Sequence, residues 1–507
     1  MAAYKSQTLS NGCRCIEIDV WNGPISRTPS KSPNPGHRRH LSSGSLPQFA
    51  AETLDALIGG RVSRHSRSPS TNQTAFPAPG PRESNGTLDP KDLRDRLEKS
   101  RESSRSSGKV EPVVHHHGTM TSTIGFREVC WAIRESAFKS NPLPIIISLE
   151  VGADREQQEV MVEIMKEEWA GLLLDTPFDY CDPHQRQPRL EELYNKILIK
   201  VKRLDDCRLA DVERGRSIGI AAIRAKPPIC EALAALAIYT HSEHYEDEKS
   251  LSSRTPSHIF SLSEDSFRSL AEDKRKHHKL LTHNRDYFMR IYPKGSRVDS
   301  SNPDPSFPWR RGVQMVAMNW QKSDEGMMLN DAMFAGTNGW VLKPPELLSD
   351  HDADMKNKWH STLDLRITVL AGQFLLPKNS QQARGFGVKG DQTFRPRVKV
   401  ELHVEKPRKS IDYARETACG TTEHPDWGRH PKSLDFLDVK NVVEELSFVR
   451  FKVRDGSNKI RDDLISWSCI RLDRLQPGYR WVDLLDPGTR GLCPGKLFVK
   501  VEKVLRD

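Results

Sequence analysis

The chain has 507 residues, with 77 Lys and Arg against 68 Asp and Glu and a net charge of +9. That length allows two or three domains, and the basic balance points to acidic partners, either nucleic acid or an anionic membrane surface. No run of about 18 apolar residues occurs, so no spanning helix is predicted and membrane contact is expected to be peripheral. Nine cysteines, an odd number without C-x-x-C spacing, argue against a disulfide framework or a zinc site and fit a reducing setting.

Residues 13–21 (CRCIEIDVW) alternate as a strand, so Glu17 and Asp19 leave the same face. Paired acids on an otherwise apolar strand need neutralising, usually by a hard divalent cation, unless the strand is a solvated edge. Residues 25–109 are rich in Ser, Pro, Arg and His. Such a stretch cannot bury enough apolar surface to order itself and reads as a disordered insertion, with a short helix at 47–60.

A short strand is predicted at 111–114, followed by His115, His116 and His117. Three adjacent histidines read as a polar loop or a weak transition-metal site. Residues 126–139 have helical spacing, 143–150 (LPIIISLE) form a strand too apolar to be half exposed, and 156–170 are helical. In 196–202 (KILIKVK), Ile197, Ile199 and Val201 mark one buried face, so Lys200 and Lys202 face polar space, either a phosphate pocket or a solvated edge. A second polar gap runs from 206 to 254, interrupted by the apolar 218–237. Ser263 reads as an N-cap with Ser266 three residues on, opening a helix over 263–273. Further elements of the alternation are expected at 287–292, 313–320 and 340–343. After Pro345 the texture changes to alternating strands at 363–371, 397–404, 445–453, 464–472, 479–484 and 496–501, the pattern of an antiparallel β-sandwich.

The alternation of continuous apolar strands with helices predicts a parallel sheet or barrel. In a (β/α) barrel the C-terminal strand ends converge on one face. Glu17, Asp19, the histidines, Glu150, Lys200, Lys202, Arg290 and Asn319 all stand near such ends. Carboxylates beside a basic cluster form a cation site next to a polyanion pocket, as metal-assisted chemistry on a phosphate ester requires.

The motifs GCRCIEIDVWNGP, PVVHHHGTMTS, FREVCWAI, the 145–150 strand with Gln157 and Gln158, and residues 196–204 resemble the X half of a eukaryotic, fungal-type phosphoinositide-specific phospholipase C. RIYPKGSRVDSS, WRRGVQMVAMNWQ and NGWVLKP resemble its Y half, and GYRWVDLL with LFVKV its C2 domain. The resemblance implies a TIM-type (β/α)8 barrel split into X (1–24 and 110–204) and Y (257–347) halves joined by a linker at 205–256. A C2-like sandwich would follow at 348–507. It implies calcium held by Glu17, Asp19 and Glu150, and His116 as a catalytic acid, with Glu17 or Glu150 as base. It also implies a headgroup site of Lys200, Lys202, Ser261, Arg290 and Tyr292. The activity implied is hydrolysis of phosphatidylinositol 4,5-bisphosphate to diacylglycerol and inositol trisphosphate. The expected setting is a cytoplasmic monomer, peripheral at the inner face of the plasma membrane, with no nucleic-acid partner.

The family's Ser-His-Asn-Thr-Tyr-Leu motif, with its other histidine and a calcium-ligating asparagine, occurs nowhere in the chain. The barrel is therefore expected to lack its first strand, through an incomplete sequence or an impaired enzyme. An impaired chain would be a phosphoinositide-binding or scaffold protein. A glycerophosphodiesterase shares the paired-acid barrel but not the sandwich or the phosphate-binding lysines. In the C2-like tail Arg395 stands where an aspartate would be needed for the first calcium loop, leaving Asp455 alone in a later one. The tail is expected to dock on the barrel.

Overall fold

The computed structural model describes residues 8–23, 110–115, 122–202, 227–243, 245, 255–349, 361–375, 394–405, 413–457 and 463–506. The insertion read at 25–109, the helix expected at 47–60 and His116 lie outside them. Alternation in β1 (Cys15–Trp21) sends Ile16, Ile18 and Val20 outward, where all three are buried, and the odd residues toward the sheet's other face. Helix α1 (Phe126–Ala137) meets that outward layer with Phe126, Val129, Cys130, Ile133 and Ala137, spaced along one helical stripe. Strand β4 (Ile145–Val151) is apolar on both faces because it is covered on both, by α1 and α2 (Arg155–Glu168) outside and by lumen side chains inside. Asp154 caps α2, accepting from the Gln157 N–H at 3.0 Å.

Among the described residues seven strands run parallel, in the order β1, β4, β5 (Ile197–Lys202), β6 (His241–Glu243), β7 (His258–Ser263), β8 (Phe288–Tyr292) and β9 (Met315–Val316). Two short antiparallel strands, β2 (Val113–Val114) and β3 (Ile124–Gly125), extend the sheet beyond β1. Helices α3 (Glu231–Ala234), α4 (Glu264–Glu272), α5 (His277–Asp286), α6 (Ser306–Trp309) and α7 (Glu325–Phe334) lie between or after the later strands. Ser263 caps α4 through the Ser266 N–H, as its spacing predicts.

Three expectations need correcting. Strand β6 and helix α3 fall inside the stretch read as linker, because a three-residue strand in polar sequence leaves no periodicity to detect. Strand β7 precedes the helix expected from Ser263, because the residue that caps α4 is also the last of the strand before it. No strand forms at 340–343. Gly339 has φ +88°, and a Cβ there would stand 1.9 Å from the Gly12 carbonyl oxygen. The turn presses Trp340 inward, where its Nε1 donates to the Pro144 carbonyl at 3.2 Å.

The second sheet is antiparallel throughout, ordered β12 (Ala414–Glu416), β11 (Pro396–His403), β14 (Phe448–Asp455), β15 (Leu464–Arg471), β16 (Gly478–Leu485), β17 (Leu492–Arg506), β10 (Ser361–Gln373) and β13 (Ser433–Val442). A single pair, Trp467 with Leu485, joins its two four-stranded halves, so they fold over one core as a sandwich. Strands β12 and β13 escaped prediction, β13 because two left-handed residues, Asp438 and Asn441, break its alternation. Asp455 is used locally, accepting from the Arg395 and Ser457 N–H groups.

The sandwich docks on the barrel through α7. Leu329, Ala332 and Met333 share a core with Val443, Leu446 and Phe448. Arg474 donates to the carbonyls of Ala332, Met333 and Ala335 at the helix's C-terminal end, where the macrodipole favours a cation. At the other end Glu325 meets Arg450 and Lys452, which also bind Glu401, at 2.6 and 3.0 Å. Burial alone would raise the Glu401 carboxyl, but the two cations outweigh it and pull it down to about 2.

Arg450→Ala leaves Glu401 and Lys452 in a half-satisfied buried network, and we expect a loss of about 3–5 kcal/mol in denaturant unfolding at pH 7. Because Glu401 sits below its ordinary 4.5, its contribution is complete above that pH and is lost as pH falls toward 2. The difference between the native chain and Arg450→Ala should shrink across that window. A constant difference would contradict the assignment.

Candidate active site

In-register parallel pairing stacks the inward residues of β1, β4 and β5 in layers. Cys15 lies opposite Ile146, and Ile146 opposite Leu198, forming with Met315 and Trp340 an apolar floor. One step toward the C-terminal ends, Glu17 pairs with Ser148 and Ser148 with Lys200. One step further, Asp19 lies directly opposite Glu150, at the level of the mouth. Across the lumen Ser261 pairs with Arg290, and Ser263 with Tyr292. The lumen therefore changes from apolar to ionic along the strands, and its upper part opens into a cavity of ≈ 1830 Å³. Glu17, Asp19, Glu150, Lys202, Ser261, Arg290 and Tyr292 all line it.

Lys200 is only 2% exposed. Its Nζ donates to the Ser242 hydroxyl at 3.0 Å, with the Ser148 hydroxyl at 3.5 Å. Burial, reinforced by the Arg290 charge, pulls the ammonium down to about 8 against the opposing pull of Glu150 and Glu17. Lys202 stands exposed two residues on. Arg290 is buried and bonds through Nη2 to the Glu17 carboxylate, with its guanidinium 5.4 Å from the Tyr292 ring centre. Tyr292 is 37% exposed, one ring of the mouth left open to a ligand. The Ser261 hydroxyl is buried with no hydrogen-bond partner among the described residues. A buried polar atom of this kind in a cleft points to a missing ligand or water.

The sequence-derived cation set is only partly assembled. Asp19 and Glu150 stand side by side, whereas Glu17 is turned to Arg290, and no three His, Cys, Asp or Glu groups converge as a metal cluster among the described residues. The donors are all carboxylates, whose hard oxygens suit calcium or magnesium rather than a soft metal. His115 is committed elsewhere: its ring stacks on Trp21 at 5.4 Å, and its carbonyl accepts from the Trp21 indole at 3.2 Å. His116 lies outside the described residues. The hydroxyls of Ser148 and Ser242 were missed by sequence reasoning. Ser148 had a signal, standing two residues before Glu150 on the same strand face. Ser242, in a three-residue strand, had none.

A split (β/α) barrel with acids and bases sharing its mouth, followed by an antiparallel sandwich, defines the class. Two family models match, phosphatidylinositol-specific phospholipase C X domain over residues 2–203 and Y domain over 233–346, together well over half of the chain. The chain belongs to the phosphatidylinositol-specific phospholipase C family. Among its relatives is 1-phosphatidylinositol 4,5-bisphosphate phosphodiesterase delta-3-A of Danio rerio, 32% identical over 423 residues, covering 78% of this chain and 52% of that protein. The delta-1 enzyme of Homo sapiens is 31% identical over 426 residues, covering 77% of this chain and 53% of its own length. The crystal structure of L. pealei PLC21 shares the fold, with a TM-score of 0.67 and 22% identity over 100% of this chain and 53% of that one. The chain thus spans about half the length of the curated relatives it matches. Among the described residues no helix is long and apolar enough to cross a membrane.

Burying the Lys200 charge opposes folding. Its folded value lies below the ordinary 10.5, so the penalty is complete at pH 7 and disappears as pH rises from about 8 to that value. Lys200→Met should therefore raise the thermal midpoint at pH 7, with a gain that fades at pH 10. An equal gain at both pH values would show that burial of charge is not the cause.

Proposed function

We propose that the chain is a calcium-dependent phosphoinositide phospholipase C of the fungal type. It would cleave phosphatidylinositol 4,5-bisphosphate to diacylglycerol and inositol 1,4,5-trisphosphate while bound peripherally, as a monomer, to the inner face of the plasma membrane. The observation that carries the reading is the layered mouth, where Asp19 faces Glu150 in register beside the buried cations Lys200 and Arg290. Supporting it are the relatives' printed activity and the Ser261 hydroxyl, buried without a partner among the described residues.

In this reading Lys200, Lys202 and Arg290 meet the ring phosphates, the Ser261 hydroxyl gains a partner on the headgroup, and Tyr292 packs on the inositol face. Glu17, Asp19 and Glu150 are the residues that would hold calcium. The ion, when bound, lowers the pKa of the attacking 2-hydroxyl and offsets charge at phosphorus. Glu150 or Glu17 takes the proton of that hydroxyl, and His116 gives one to the departing diacylglycerol oxygen. A water molecule then opens the cyclic phosphate, with base and acid exchanging roles.

One observation favours a second reading, that of a phosphoinositide-binding or scaffold protein. Glu17 is bonded to Arg290, so one of the three carboxylates expected to hold the cation is engaged by the protein itself.

Vesicles containing phosphatidylinositol 4,5-bisphosphate separate the two. The enzyme should release water-soluble inositol phosphate with calcium and none with chelator. Glu150→Gln should lower turnover by about 100-fold or more while leaving the fold intact, since a charge facing the reacting centre is worth several kcal/mol. Vesicle binding without release from the unsubstituted chain would sink the enzyme reading in favour of the binding protein.

A further inference from the structure

The loop that follows β9 carries Asn319, Trp320 and Gln321 along the wall of the cavity. From the barrel side it is held by Asn302, whose side chain accepts from the Asn319 N–H at 2.6 Å and donates to the Asn319 and Lys322 carbonyls. From the other side the holding group comes from the sandwich. The β16–β17 hairpin turns at residues 486–491, and Thr489, Arg490 and Gly491 line the same cavity. The Arg490 guanidinium lies 4.9 Å from the Trp320 ring centre and donates to both carboxylate oxygens of Asp331 on α7, at 3.1 and 3.3 Å. The Ser323 hydroxyl reaches the Gly488 carbonyl at 3.4 Å.

The hairpin is built to present that side chain. Arg490 adopts φ +60°, a left-handed conformation unusual for a side chain of this size. The Asp486 carboxylate fixes the turn, accepting from the Gly488 and Thr489 N–H groups at 2.9 and 2.7 Å, and the Arg490 N–H closes it on the Asp486 carbonyl at 2.9 Å. The turn thus holds a left-handed arginine whose guanidinium reaches both Trp320 and Asp331. The Asp331 carboxyl is itself raised to about 6 by burial, against the pull of Arg490. The pair is partly buried, with the Arg490 and Asp331 side chains 14% and 25% exposed. Its geometry is that of a planar guanidinium inserted between an indole face and a carboxylate, which a lysine cannot reproduce.

We propose that Arg490 of the sandwich is a positioning residue for the barrel's site, acting through Trp320 to hold the loop that walls the cavity mouth. The proposal rests on reading that cavity as the headgroup site. It makes the sandwich part of the site's wall rather than a separate module beside it. Loss of the brace should loosen ligand capture at the rim and leave the chemistry deeper in the lumen unchanged.

The test uses the full chain carrying Arg490→Ala, Arg490→Lys, or Arg490→Ala with Asp331→Asn so that no partly buried carboxylate is left unpaired, each with and without Trp320→Phe. The difference made by Trp320→Phe isolates the acrylamide quenching of that one indole. We expect Arg490→Ala to raise it about two-fold or more, with or without Asp331→Asn, and Arg490→Lys to fall between. On phosphatidylinositol 4,5-bisphosphate vesicles KM should rise about three- to ten-fold with kcat within about two-fold. Trp320 quenching unchanged in the folded Arg490→Ala/Asp331→Asn chain overturns the proposal, as does a loss confined to kcat. If the unsubstituted chain releases no inositol phosphate, the enzyme reading fails while the quenching comparison still decides whether Arg490 holds Trp320.

Discussion

Parallel pairing in strict register is the constraint from which the rest of the site follows. Because β1, β4 and β5 are aligned residue against residue, a side chain's height in the lumen is fixed by its place along its own strand. Glu17 is thereby placed level with Ser148 and Lys200, and Asp19 level with Glu150. A slip of one residue in β1 would send both acids into the helix-packed layer and Ile16, Ile18 and Val20 into the lumen. The apolar layer outside therefore holds the ionic layer inside. The cost of burying Lys200 and Arg290 is met by the burial of the isoleucines and valines on the opposite faces of the same strands.

Much of this was legible in the residues. Alternation placed Glu17 with Asp19, the apolar run before Glu150 announced a doubly covered strand, and the isoleucines flanking Lys200 showed that it faces inward. Period-two patterning is unambiguous when one face is uniformly aliphatic. Legibility failed where elements were too short to have a period, as in β6, or where a capping signal masked the strand before it, as in β7. It also failed at 340–343, where a left-handed glycine turns an apolar run into a plug for the barrel floor. The Glu17–Arg290 pair could not have been read at all. Its members are 273 residues apart, and only the closure of the lumen brings them together.

The same logic explains why the two sheets behave as one body. Helix α7 has an apolar stripe too wide for the barrel alone, and the sandwich covers the remainder with Val443, Leu446 and Phe448. Arginines then fix its rotation: Arg450 at its first residue, Arg490 at its middle and Arg474 on its last carbonyls. Apolar contact is tolerant of sliding, whereas three directional contacts along one helix are not. The loop after β9 leads directly into that helix, so whatever fixes the helix also limits the mouth of the cavity.

Charge balance inside the lumen bears on how such a site is filled. Three carboxylates, Glu17, Asp19 and Glu150, face three cations, Lys200, Lys202 and Arg290. The Glu17–Arg290 ion pair is that balance in its local form. A divalent cation arriving alone leaves the basic side unopposed, and a polyphosphate headgroup arriving alone leaves the acidic side so. In a low-dielectric lumen either imbalance is expensive. A cation and a polyanion taken up together would keep that balance, with Glu17, Asp19 and Glu150 facing the one and Lys200, Lys202 and Arg290 the other. The Glu17–Arg290 ion pair is thus the contact that a cation and a polyanion, acting jointly, would be best suited to replace.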